Sequence, residues 1–558
     1  MKTSIASTST PWHDDVKMPA CPALSDNLIC DVCVVGAGIA GLTTAYLLSE
    51  RGQKVCVLES QNLGEGQTGL STGHVTAALD TRYHRLEELH GVADTRLVAQ
   101  SQVAALNTVD QILIQSAIDC DYKRVSGYLF ENSAQLNDDE LPRELSAAHR
   151  AGLNDVHAAS QAPLPTFETG NCLIFPNQIQ LNPLKYLRGL AKQVLANKGR
   201  IFCHSQVTTI QGGKSATVIT ASGHSIKSHA AVVATNTPIN NVFAIHTKQA
   251  PYRSYVLAYK IPKNEVHLGL YWDTGTPYHY LRTHPYSSLH DLLIVGGEDH
   301  KTGQNDHPED CFARLREWTE SRFPFASEVA YRWSGQIMES IDGLAYLGHN
   351  PLDNENVYVI TGQSGTGLSQ STVGALLVRD QILRLENSWA HVYEPSRFRL
   401  RALTEYIKEN ANVAMQYADW ISPQSAQVIE NLAYNDGAVI NYGLRKVALF
   451  RNERGDLEAY SAACPHLGGL VHWNGVEKSW DCPCHGSRFD CHGKVIEGPA
   501  SQDLKPLSDS NLEIPTAISN HQRRNYEKTI LGPDATDSYY CGAGPNLDDA
   551  DPGRGRLT

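Results

Sequence analysis

Short apolar runs alternate with a helical pattern near the start of the chain. Leu28–Val35 is almost continuously apolar, which predicts a strand buried on both faces. The helical stretch Leu42–Arg51 follows, and Gly52 predicts its end. Lys54–Glu59 is a second apolar strand. This order of strand, helix and strand indicates a parallel sheet with helices packed on its faces.

Further strands are predicted along the rest of the chain. Ala230–Ala234 and Val357–Ile360 are short apolar runs, and a helical stretch, Leu368–Leu383, follows the second. Short alternating runs such as Lys446–Arg451 predict small antiparallel strands near the C-terminal end. We expect residues 171–340 to supply strands of a substrate-binding domain, because this region is rich in aromatic residues. These include Tyr271, Trp272, Tyr278, Tyr280 and Tyr286.

Glycines connect the first strand to the helix in the spacing G-x-G-x-x-G. Gly36 permits a tight turn, Gly38 lets the backbone approach a pyrophosphate, and Gly41 lets the helix pack on the strand. The helix N-terminus attracts the phosphate charge. The segment therefore predicts a dinucleotide site, and a plain glycine-rich turn is the alternative. The predicted contacts in this turn are Gly36, Gly38, Ile39, Ala40 and Gly41.

Three later segments extend the predicted dinucleotide site. Glu59 ends the second strand, where its carboxylate can accept hydrogen bonds from a ribose and disfavours a 2′-phosphate. The polar, glycine-rich segment 61–76 suits a loop that follows the cofactor, although a mobile loop would have the same composition. The loop at Gly365 and Gly367 would direct helix N–H groups at the pyrimidine edge of a flavin. Predicted contacts in these segments and at position 207 are Glu59, Ser60, Thr68, Ser71, Thr72, Val207, Gly365, Gly367 and Leu368.

Two Cys/His pairs lie close together near the other end of the chain. Cys464 and His466 form a C-x-H pair, and Cys482 and His485 form a C-x-x-H pair after fifteen intervening residues. Two thiolates for one iron and two imidazoles for the other are the ligands of a Rieske [2Fe–2S] centre. Zinc is the competing metal, since two Cys and two His also satisfy a tetrahedral site. The glycines and prolines around the pairs favour the Rieske interpretation.

Composition and charge limit the classes of function. The chain has 558 residues, of which 41% are apolar and 19% charged, and no apolar run approaches the length of a membrane span. Its net charge is −13 and no Lys/Arg cluster stands out, which argues against nucleic-acid or anionic-membrane partners. The thirteen cysteines form no disulfide framework, so we expect reduced thiols and a cytoplasmic location. A second strand–G-x-G-x-x-G–helix unit is missing between Leu70 and Asn410, which argues against a separate NAD(P)H domain.

Together, these motifs indicate that the chain resembles a known family. From Asp31 to about Leu507 the chain resembles FAD-dependent oxidoreductases of the D-amino-acid oxidase (glycine-oxidase-like) superfamily that carry a C-terminal Rieske domain. The supporting segments are Gly66–His74, Gly127–Phe130, Gln180–Tyr186, Arg253–Tyr255, Gly297–His300 and Asp342–Gly348.

The expected fold is α/β, with a Rossmann-like FAD-binding domain, an interleaved β-sheet substrate domain and a small all-β Rieske domain. We expect an N-terminal surface arm at 1–30, the oxidoreductase domain at 31–415, the Rieske domain at 425–520 and a disordered tail at 521–558.

The resemblance implies a chemistry and several residue roles. Members of the superfamily oxidise C–N bonds of amines or amino acids by hydride transfer to the flavin, and several bind a carboxylate through an Arg and a nearby Tyr. The candidates here are Tyr280, Arg282, Arg253 and Tyr255, for which ion pairing or core packing is the plainer alternative. His74 follows the flavin-loop glycines, and a histidine carries a covalent flavin bond in some relatives, but its spacing differs from theirs.

The resemblance also describes the cluster. In Rieske proteins the first Cys of Cys-Pro-Cys-His is the ligand, so Cys482 is expected to bind iron. Cys484 lacks the partner with which respiratory Rieske proteins form a disulfide, because that position is Gly469. Phe489 replaces a hydrogen-bonding Tyr, while Ser487 can still donate, so we expect a potential in the lower part of the Rieske range of roughly −150 to +300 mV.

Two functions are compatible with these features, and a third is argued against. The leading one is a dehydrogenase in which an amine or amino acid reduces FAD, single electrons pass to the cluster, and an external protein or quinone accepts them. The second is a reductase or redox sensor whose Rieske domain receives electrons from, or docks, a partner protein. A Rieske oxygenase would need a further domain with a mononuclear iron site, for which too little chain remains.

Overall fold

The computed structural model describes residues 10–14, 16–131, 139–240, 245–305, 307–351, 353, 355–420, 432–442 and 445–507. The expected disordered tail, 521–558, lies outside these residues, as does the end of the expected Rieske domain. All described residues except Leu507 belong to one unit, Met1–Pro506. None of the described helices combines the length and apolar character that a membrane span requires.

The strands and helices follow one another along the whole described chain. The strands are β1 (Leu28–Ile29), β2 (Val32–Val35), β3 (Val55–Leu58), β4 (His74–Val75), β5 (Lys123–Phe130), β6 (His157–Ala159), β7 (Cys172–Gln180), β8 (Arg200–Phe202), β9 (Val207–Gln211), β10 (Ala216–Thr220), β11 (Ser225–Ser228), β12 (Ala230–Val233), β13 (Gln249–Pro262), β14 (Leu270–Asp273), β15 (His279–Pro285), β16 (His290–Lys301), β17 (Glu328–Ser340), β18 (Tyr346–His349), β19 (Val357–Thr361), β20 (Asp436–Tyr442), β21 (Arg445–Arg451), β22 (Leu457–Ser461), β23 (His472–Asn474), β24 (Ser479–Asp481), β25 (Arg488–Asp490) and β26 (Val495–Glu497). The α-helices are α1 (Ile39–Ser49), α2 (Gln67–Leu70), α3 (Tyr83–His90), α4 (Val92–Ser116), α5 (Glu140–Arg150), α6 (Pro183–Ala196), α7 (Pro308–Arg322), α8 (Gly367–Ile382), α9 (Ala390–Tyr393) and α10 (Leu403–Gln416). Short 3₁₀ helices lie at His246–Lys248, Ser364–Thr366, Leu400–Ala402 and Tyr417–Trp420.

The apolar runs near the start form a mostly parallel sheet. Its strand order is β18-β19-β12-β2-β3-β8, and β2 lies in parallel register between β12 and β3. Every residue of β2, β3 and β12 is buried, as expected for strands covered on both faces. Helix α1 packs against α6 and α8. This is the predicted Rossmann-like arrangement of strand, helix and strand.

The predicted strand Leu28–Val35 is in fact two strands. β1 pairs with β11 in a separate sheet of order β1-β11-β10-β9, whereas β2 belongs to the parallel sheet. Asp31 lies between them, and its carboxylate accepts the Lys54 N–H at 2.8 Å. The side chain thus ties the junction to the start of β3. The apolar pattern did not reveal this change of sheet.

A nine-stranded sheet forms the second layer of the oxidoreductase part. Its main path is β17-β13-β16-β15-β14-β5-β7-β4, and β6 pairs with β7. The long strands β13, β15, β16 and β17 come from the region 171–340 expected to supply a substrate domain. β4 and β5 come from earlier in the chain, so the two layers are interleaved in sequence. Residues of β4, β13, β14, β15 and β17 line the candidate site described below.

The last part of the described chain is all β. β20, β21 and β22 form one antiparallel sheet, and β23 to β26 form another. A small core of buried side chains lies among these strands and the loops at Cys464 and Cys482, and it includes Phe450, Trp480 and Phe489.

Part of the N-terminal segment departs from the expectation of a surface arm, because residues 10–12 are buried, whereas most of the described residues among 13–30 are exposed or half-buried. Thr10 and Trp12 are fully buried. The Trp12 indole donates a hydrogen bond to the Ser71 carbonyl at 2.8 Å, and its ring lies against the Arg282 guanidinium. The polar, proline-containing sequence around this tryptophan gave no sign that it enters the core. The segment therefore forms part of the support behind the glycine-rich loop at 64–73.

Candidate functional site

The first glycine-rich turn leaves room for a phosphate. Gly36 has φ 98°, and an added Cβ there would lie 2.5 Å from the Ala234 carbonyl oxygen. A Cβ on Gly41 would lie 1.9 Å from the Gly36 carbonyl oxygen, so the close packing of α1 on the turn requires glycine. Gly38 precedes α1 without a side-chain cap, while the Thr68 hydroxyl accepts the Ile39 N–H at 2.9 Å. The remaining N–H groups and the helix dipole favour an anion at this end.

Glu59 is held at the end of β3 in the position expected for a ribose contact. Its Oε2 accepts the Ala37 N–H at 2.8 Å and its Oε1 accepts the Gln61 N–H at 3.0 Å. The carboxylate keeps further lone pairs for two hydroxyl groups. Glu59 thus joins the end of β3 to the glycine turn, as the Rossmann arrangement requires.

A cavity of about 350 Å³ connects these elements. All but one of the predicted dinucleotide contacts line it, and the exception, Gly41, packs behind the turn. The lining contacts are Gly36, Gly38, Ile39, Ala40, Glu59, Ser60, Thr68, Ser71, Thr72, Val207, Gly365, Gly367 and Leu368. A glycine cradle, an oriented carboxylate and a cavity that joins them fit a bound dinucleotide.

The start of α8 forms another wall of the cavity. Gly365, Thr366, Gly367 and Leu368 line it, and no side chain caps the helix N-terminus. Uncapped N–H groups and the helix dipole give this wall a positive potential. Such a wall would stabilise negative charge on the pyrimidine edge of a flavin.

The four candidate catalytic residues lie in different places, and of them Tyr280 alone lines the cavity. Tyr280 lines the cavity, and its hydroxyl lies 3.1 Å from the Ser254 hydroxyl. Arg282 is fully buried behind the cavity, where it donates to the carbonyls of Gly73 at 2.9 Å and Leu181 at 3.0 Å. Burial lowers the pKa of Arg282 to about 9, so it is still charged at neutral pH. Its hydrogen bonds brace the loop rather than face a substrate.

The other two candidates also lie away from the cavity wall. Arg253 is 2% exposed and forms ion pairs with Glu477 and, at 3.6 Å, with Glu497. The Tyr255 hydroxyl lies 2.7 Å from His300 Nε2, within the apolar core beneath α7. Neither residue lines the cavity. For Arg253, Arg282 and Tyr255 the structure favours the plainer alternative of ion pairing, hydrogen bonding and core packing.

His74 lines the cavity between two aromatic side chains. Its ring centroid is 5.9 Å from that of Trp272 and 5.8 Å from that of Tyr280. Burial, together with the charge of Arg282, lowers the pKa of His74 to about 3. The imidazole is therefore neutral at physiological pH.

The two Cys/His pairs lie on adjacent loops. The Cys464 N–H donates to the Gly469 carbonyl at 2.8 Å, and the Cys482 N–H donates to the Ser487 carbonyl at 2.8 Å, so each loop is closed by its own backbone. The thiols of Cys464 and Cys482 are in hydrogen-bond contact. The rings of His466 and His485 are 5.1 Å apart and perpendicular. The two predicted sulfur ligands and the two predicted nitrogen ligands thus form two separate pairs.

This arrangement fits a two-iron cluster. Burial lowers the pKa of both His466 and His485 to about 4, so both imidazoles are neutral, which is the form that binds a metal. Two ligands for each of two irons is the Rieske pattern.

Cys484 and Ser487 lie beside the two pairs. A Cβ on Gly469 would lie 2.7 Å from Cys484 Sγ, so a cysteine there would face Cys484, but glycine forms no bridge. Both Cys482 and Cys484 are free thiols. Ser487 is fully buried, hydrogen bonds to the Cys464 thiol, and accepts the Ala500 N–H at 3.0 Å.

The region that carries the Cys/His pairs also closes the dinucleotide cavity. Val495, Ile496, Glu497, Gly498, Ala500 and Ser501 all line it. The Gln61 amide donates to the Ile496 carbonyl at 3.2 Å, and the Gln206 amide donates to the Ser501 carbonyl at 3.2 Å. One cavity is therefore built from both ends of the chain. The sequence gave no signal for this contact.

Two residues of the oxidoreductase part contact the loops that carry the predicted cluster ligands. The His246 ring centroid lies 4.7 Å from that of His466 and 5.5 Å from that of His485, and His246 is 3% exposed. Gln336 lines the cavity, and its amide donates to the Gly486 carbonyl at 3.0 Å. The imidazole edge of the cluster site thus faces the oxidoreductase part. Sequence reasoning missed both residues, because an isolated His or Gln far from the motif carries no local signal.

Comparison with known proteins gives matches for both parts of the chain. The family model for FAD dependent oxidoreductases matches residues 31–381, and that for the Rieske [2Fe-2S] domain matches residues 424–508. YhfW of Bacillus subtilis (strain 168), a protein named for a Rieske 2Fe-2S iron–sulfur centre, is 32% identical over 509 residues, which are 90% of this chain and 98% of that protein.

Two further similarities each cover about two thirds of the chain. Gamma-glutamylputrescine oxidoreductase of Escherichia coli (strain K12) is 25% identical over 374 residues, or 64% of this chain and 84% of that protein. The crystal structure of glycine oxidase from Geobacillus kaustophilus matches with a TM-score of 0.55 at 17% identity, covering 67% of this chain and 100% of the other. At that identity the structural match supports the fold alone.

Proposed function

Because the chain belongs to the FAD-dependent oxidoreductase family and carries a Rieske [2Fe–2S] domain, we propose that it oxidises the C–N bond of an amine or amino acid and passes the electrons singly to an external acceptor. The acceptor is a one-electron carrier protein or a quinone. Family membership confirms the predicted α/β fold with its small all-β domain, and the two cofactors, FAD and a Rieske cluster.

The oxidation balances as follows. The substrate carbon loses a hydride and its nitrogen loses a proton, so that a C=N bond forms and two electrons leave the substrate. Water then hydrolyses the imine to a carbonyl compound and a free amine. FAD, when bound, accepts two electrons as a hydride, and the cluster carries one electron at a time. The external acceptor finally takes both electrons in two steps.

The residues of this chain hold and shield the two groups. Glu59 would bind the adenosine ribose, the turn at Gly36 and Gly38 the pyrophosphate, and the start of α8 the flavin pyrimidine edge. We propose that Cys464 and Cys482 bind one iron and His466 and His485 the other. In this scheme the neutral His74 and Tyr280 flank the substrate side of the cavity.

A single observation carries the proposal: the Rieske segment 495–501 lines the same cavity as the FAD-binding residues. A Rieske domain that only docked a partner protein would not need to form a wall of the flavin site. His246, packed against both imidazoles, supports the same conclusion, because it turns the histidine edge of the cluster towards the oxidoreductase part. Transfer between flavin and cluster within one molecule is the function that this placement serves.

Anaerobic absorbance and electron paramagnetic resonance spectroscopy tests the proposal. The holoenzyme would be titrated with amines, amino acids and, as a control class, hydroxy acids. We expect one nitrogen-containing class to bleach the flavin and a reduced Rieske signal to grow afterwards. Cluster reduction only by NAD(P)H or by a reduced donor protein would show that electrons run in the opposite direction and would refute the proposal.

A further inference from the structure

The two loops that carry the predicted cluster ligands differ in how well the protein covers them. Every residue of the second loop, 482–487, is buried. In the first loop, 464–469, Pro465 is exposed and the three residues that follow it are half-buried. Opening of the first loop would admit water to the cluster site, and solvent access is one of the factors that set the properties of such a centre. The first loop is therefore the one that needs to be held in place.

A short helical segment just before the Rieske domain holds the first loop. The Tyr417 hydroxyl donates to the Leu467 carbonyl at 2.8 Å, and the Trp420 indole donates to the Gly468 carbonyl at 3.2 Å. Both aromatic side chains pack against the small apolar core of the cluster region. The backbone bonds that close the loop use the carbonyl groups of its first and last residues. The two aromatic residues thus add two further hydrogen bonds to the loop from outside it.

The same tyrosine also contacts the second loop. Its hydroxyl group hydrogen bonds to the Cys484 thiol, which is 2% exposed. A phenol can donate one hydrogen bond and accept another, so its O–H group can bond to Leu467 while its oxygen accepts the S–H group of Cys484. Cys484 in turn contacts the thiol of Cys482, a predicted ligand. One hydroxyl group therefore bridges the half-exposed loop and the buried loop.

The helix that leads into Tyr417 is fixed to the oxidoreductase part. On α10, Glu409 pairs with Lys301 at 2.6 Å, and the Asn410 amide donates to the Thr247 carbonyl at 2.9 Å. Thr247 adjoins His246, whose ring packs against both predicted imidazole ligands. The tyrosine bridge is thus anchored on the side of the cluster site that faces the oxidoreductase part.

We propose that Tyr417 is a positioning residue for the cluster, whose hydroxyl group ties the two ligand loops together from a segment that precedes the Rieske domain. The bridge keeps the first loop closed, so that iron is retained and water is kept away from the site. This inference rests on the cluster of the proposed function and not on its substrate, because the cluster can be reduced chemically with dithionite.

Loss of iron to a chelator tests the bridge. Tyr417→Phe keeps the ring and its packing but removes the hydroxyl group. The holoenzyme would be incubated with EDTA, samples would be reduced with dithionite at intervals, and the remaining Rieske signal would be measured by electron paramagnetic resonance. We expect the variant to lose its signal about tenfold faster than the natural enzyme, because a tenfold change corresponds to 1.4 kcal/mol and the hydroxyl makes two hydrogen bonds. Tyr434→Phe, at a side chain that is 68% exposed, is the matched control and should lose its signal at the natural rate.

Variants at Cys484 separate the bridge from plain packing. Cys484→Ser keeps a hydroxyl donor for Tyr417, so it should lose iron at about the natural rate. Cys484→Ala removes the donor and should lose iron faster, although less so than Tyr417→Phe, in which the bond to Leu467 is also missing. The double variant should be no faster than Tyr417→Phe alone, because that substitution has already removed both bonds. Flavin content and circular dichroism of each variant show that its fold is intact.

The outcomes separate this inference from the proposed function. Equal rates of iron loss for Tyr417→Phe and the natural enzyme would overturn the inference, and so would a Cys484→Ser enzyme that loses iron as fast as Cys484→Ala. A double variant in which the two effects multiply would also overturn it, because the two groups would then act independently. A Tyr417→Phe enzyme that contains flavin but no cluster, beside a Tyr434→Phe enzyme that contains both, would support it. Failure of amines and amino acids to reduce the flavin would overturn the proposed function and leave this inference standing.

Discussion

The two cysteines of the second cluster loop differ in what they face. Cys482 contacts the thiols of both Cys464 and Cys484, whereas Cys484 contacts Cys482 and lies against Gly469, so Cys482 is the one that stands next to the cysteine of the first loop. We therefore expect Cys482→Ser to lose the cluster and Cys484→Ser to keep it, because only the first substitution removes a thiolate ligand. Iron and sulfide content, together with the reduced electron paramagnetic resonance signal, provide the measurement. The reverse result would assign Cys484 as the ligand.

The Ser487 hydroxyl lies next to the Cys464 sulfur. Its buried hydroxyl donates towards the Cys464 sulfur, and such a bond stabilises the reduced, more negative cluster. Ser487→Ala should lower the midpoint potential by some tens of millivolts, since about 59 mV corresponds to 1.4 kcal/mol for one electron. A redox titration followed by circular dichroism measures the shift. An unchanged potential with an intact cluster signal would show that the hydroxyl only binds the Ala500 N–H.

At the residue scale, the sequence predicted the positions whose chemistry is set by close neighbours in the chain. The turn at Gly36 and the pair at Cys464 and His466 are examples, because their spacing alone carries the geometry. The roles of Arg253 and Arg282 could not be predicted in this way. Whether an arginine faces a ligand, a carboxylate such as Glu477 or a carbonyl depends on residues hundreds of positions away.

At the scale of elements, one buried ion-pair network joins the two parts of the chain. Arg253 on β13 and Arg488 on β25 both pair with Glu477, which precedes β24. These two arginines lower the pKa of Glu477 to about 2 against the opposing effect of burial. The network lies between strands of different sheets. It therefore holds the cluster loops against the nine-stranded sheet.

This network predicts a dependence of stability on pH. The pKa of Glu477 in the folded state lies below its ordinary 4.5, so its contribution is complete above about pH 4.5 and is lost as the pH falls towards about 2. Glu477→Gln should lower the free energy of unfolding at pH 7 by about 3 kcal/mol, and the loss should shrink as the pH falls through this range. Denaturant unfolding at several pH values measures it. Glu453→Gln, at an exposed turn position, is the matched control, and equal pH profiles for the two variants would contradict the assignment.

Some helices and strands could be predicted from the sequence and others could not. β3 and α8 begin and end close to the predicted bounds, because continuous apolar runs and helical periodicity mark them directly. The division of Leu28–Val35 into β1 and β2 was not predicted, since both halves are apolar and only their partners differ. The burial of Trp12 was missed for a related reason: its partner, Ser71, is distant in sequence.

At the scale of the whole molecule, the sequence indicated two functional parts but not how they meet. The motifs at the two ends are separated by several hundred residues, and nothing in either motif encodes the contact between them. In the structure, segment 495–501 closes the flavin cavity, and His246 lies against both predicted imidazole ligands. The expected use of the cluster as an electron acceptor for flavin thereby gains a physical basis that the sequence did not supply.

This contact predicts that cluster reduction is a step within one molecule. When substrate reduces the flavin anaerobically in a stopped-flow instrument, the later rise of the reduced cluster should have a rate that is independent of protein concentration over about a hundredfold range, because both sites belong to one unit. A rate proportional to concentration would show that electrons pass between molecules instead.

His246→Ala should slow the reduction of the cluster and leave flavin reduction unchanged, because it removes the ring of the oxidoreductase part that packs against the two predicted imidazole ligands. His204→Ala, an exposed histidine bound to Asn62, should change neither phase. If both variants behave like the natural enzyme, electrons reach the cluster through the Gln336–Gly486 contact or segment 495–501 rather than past His246.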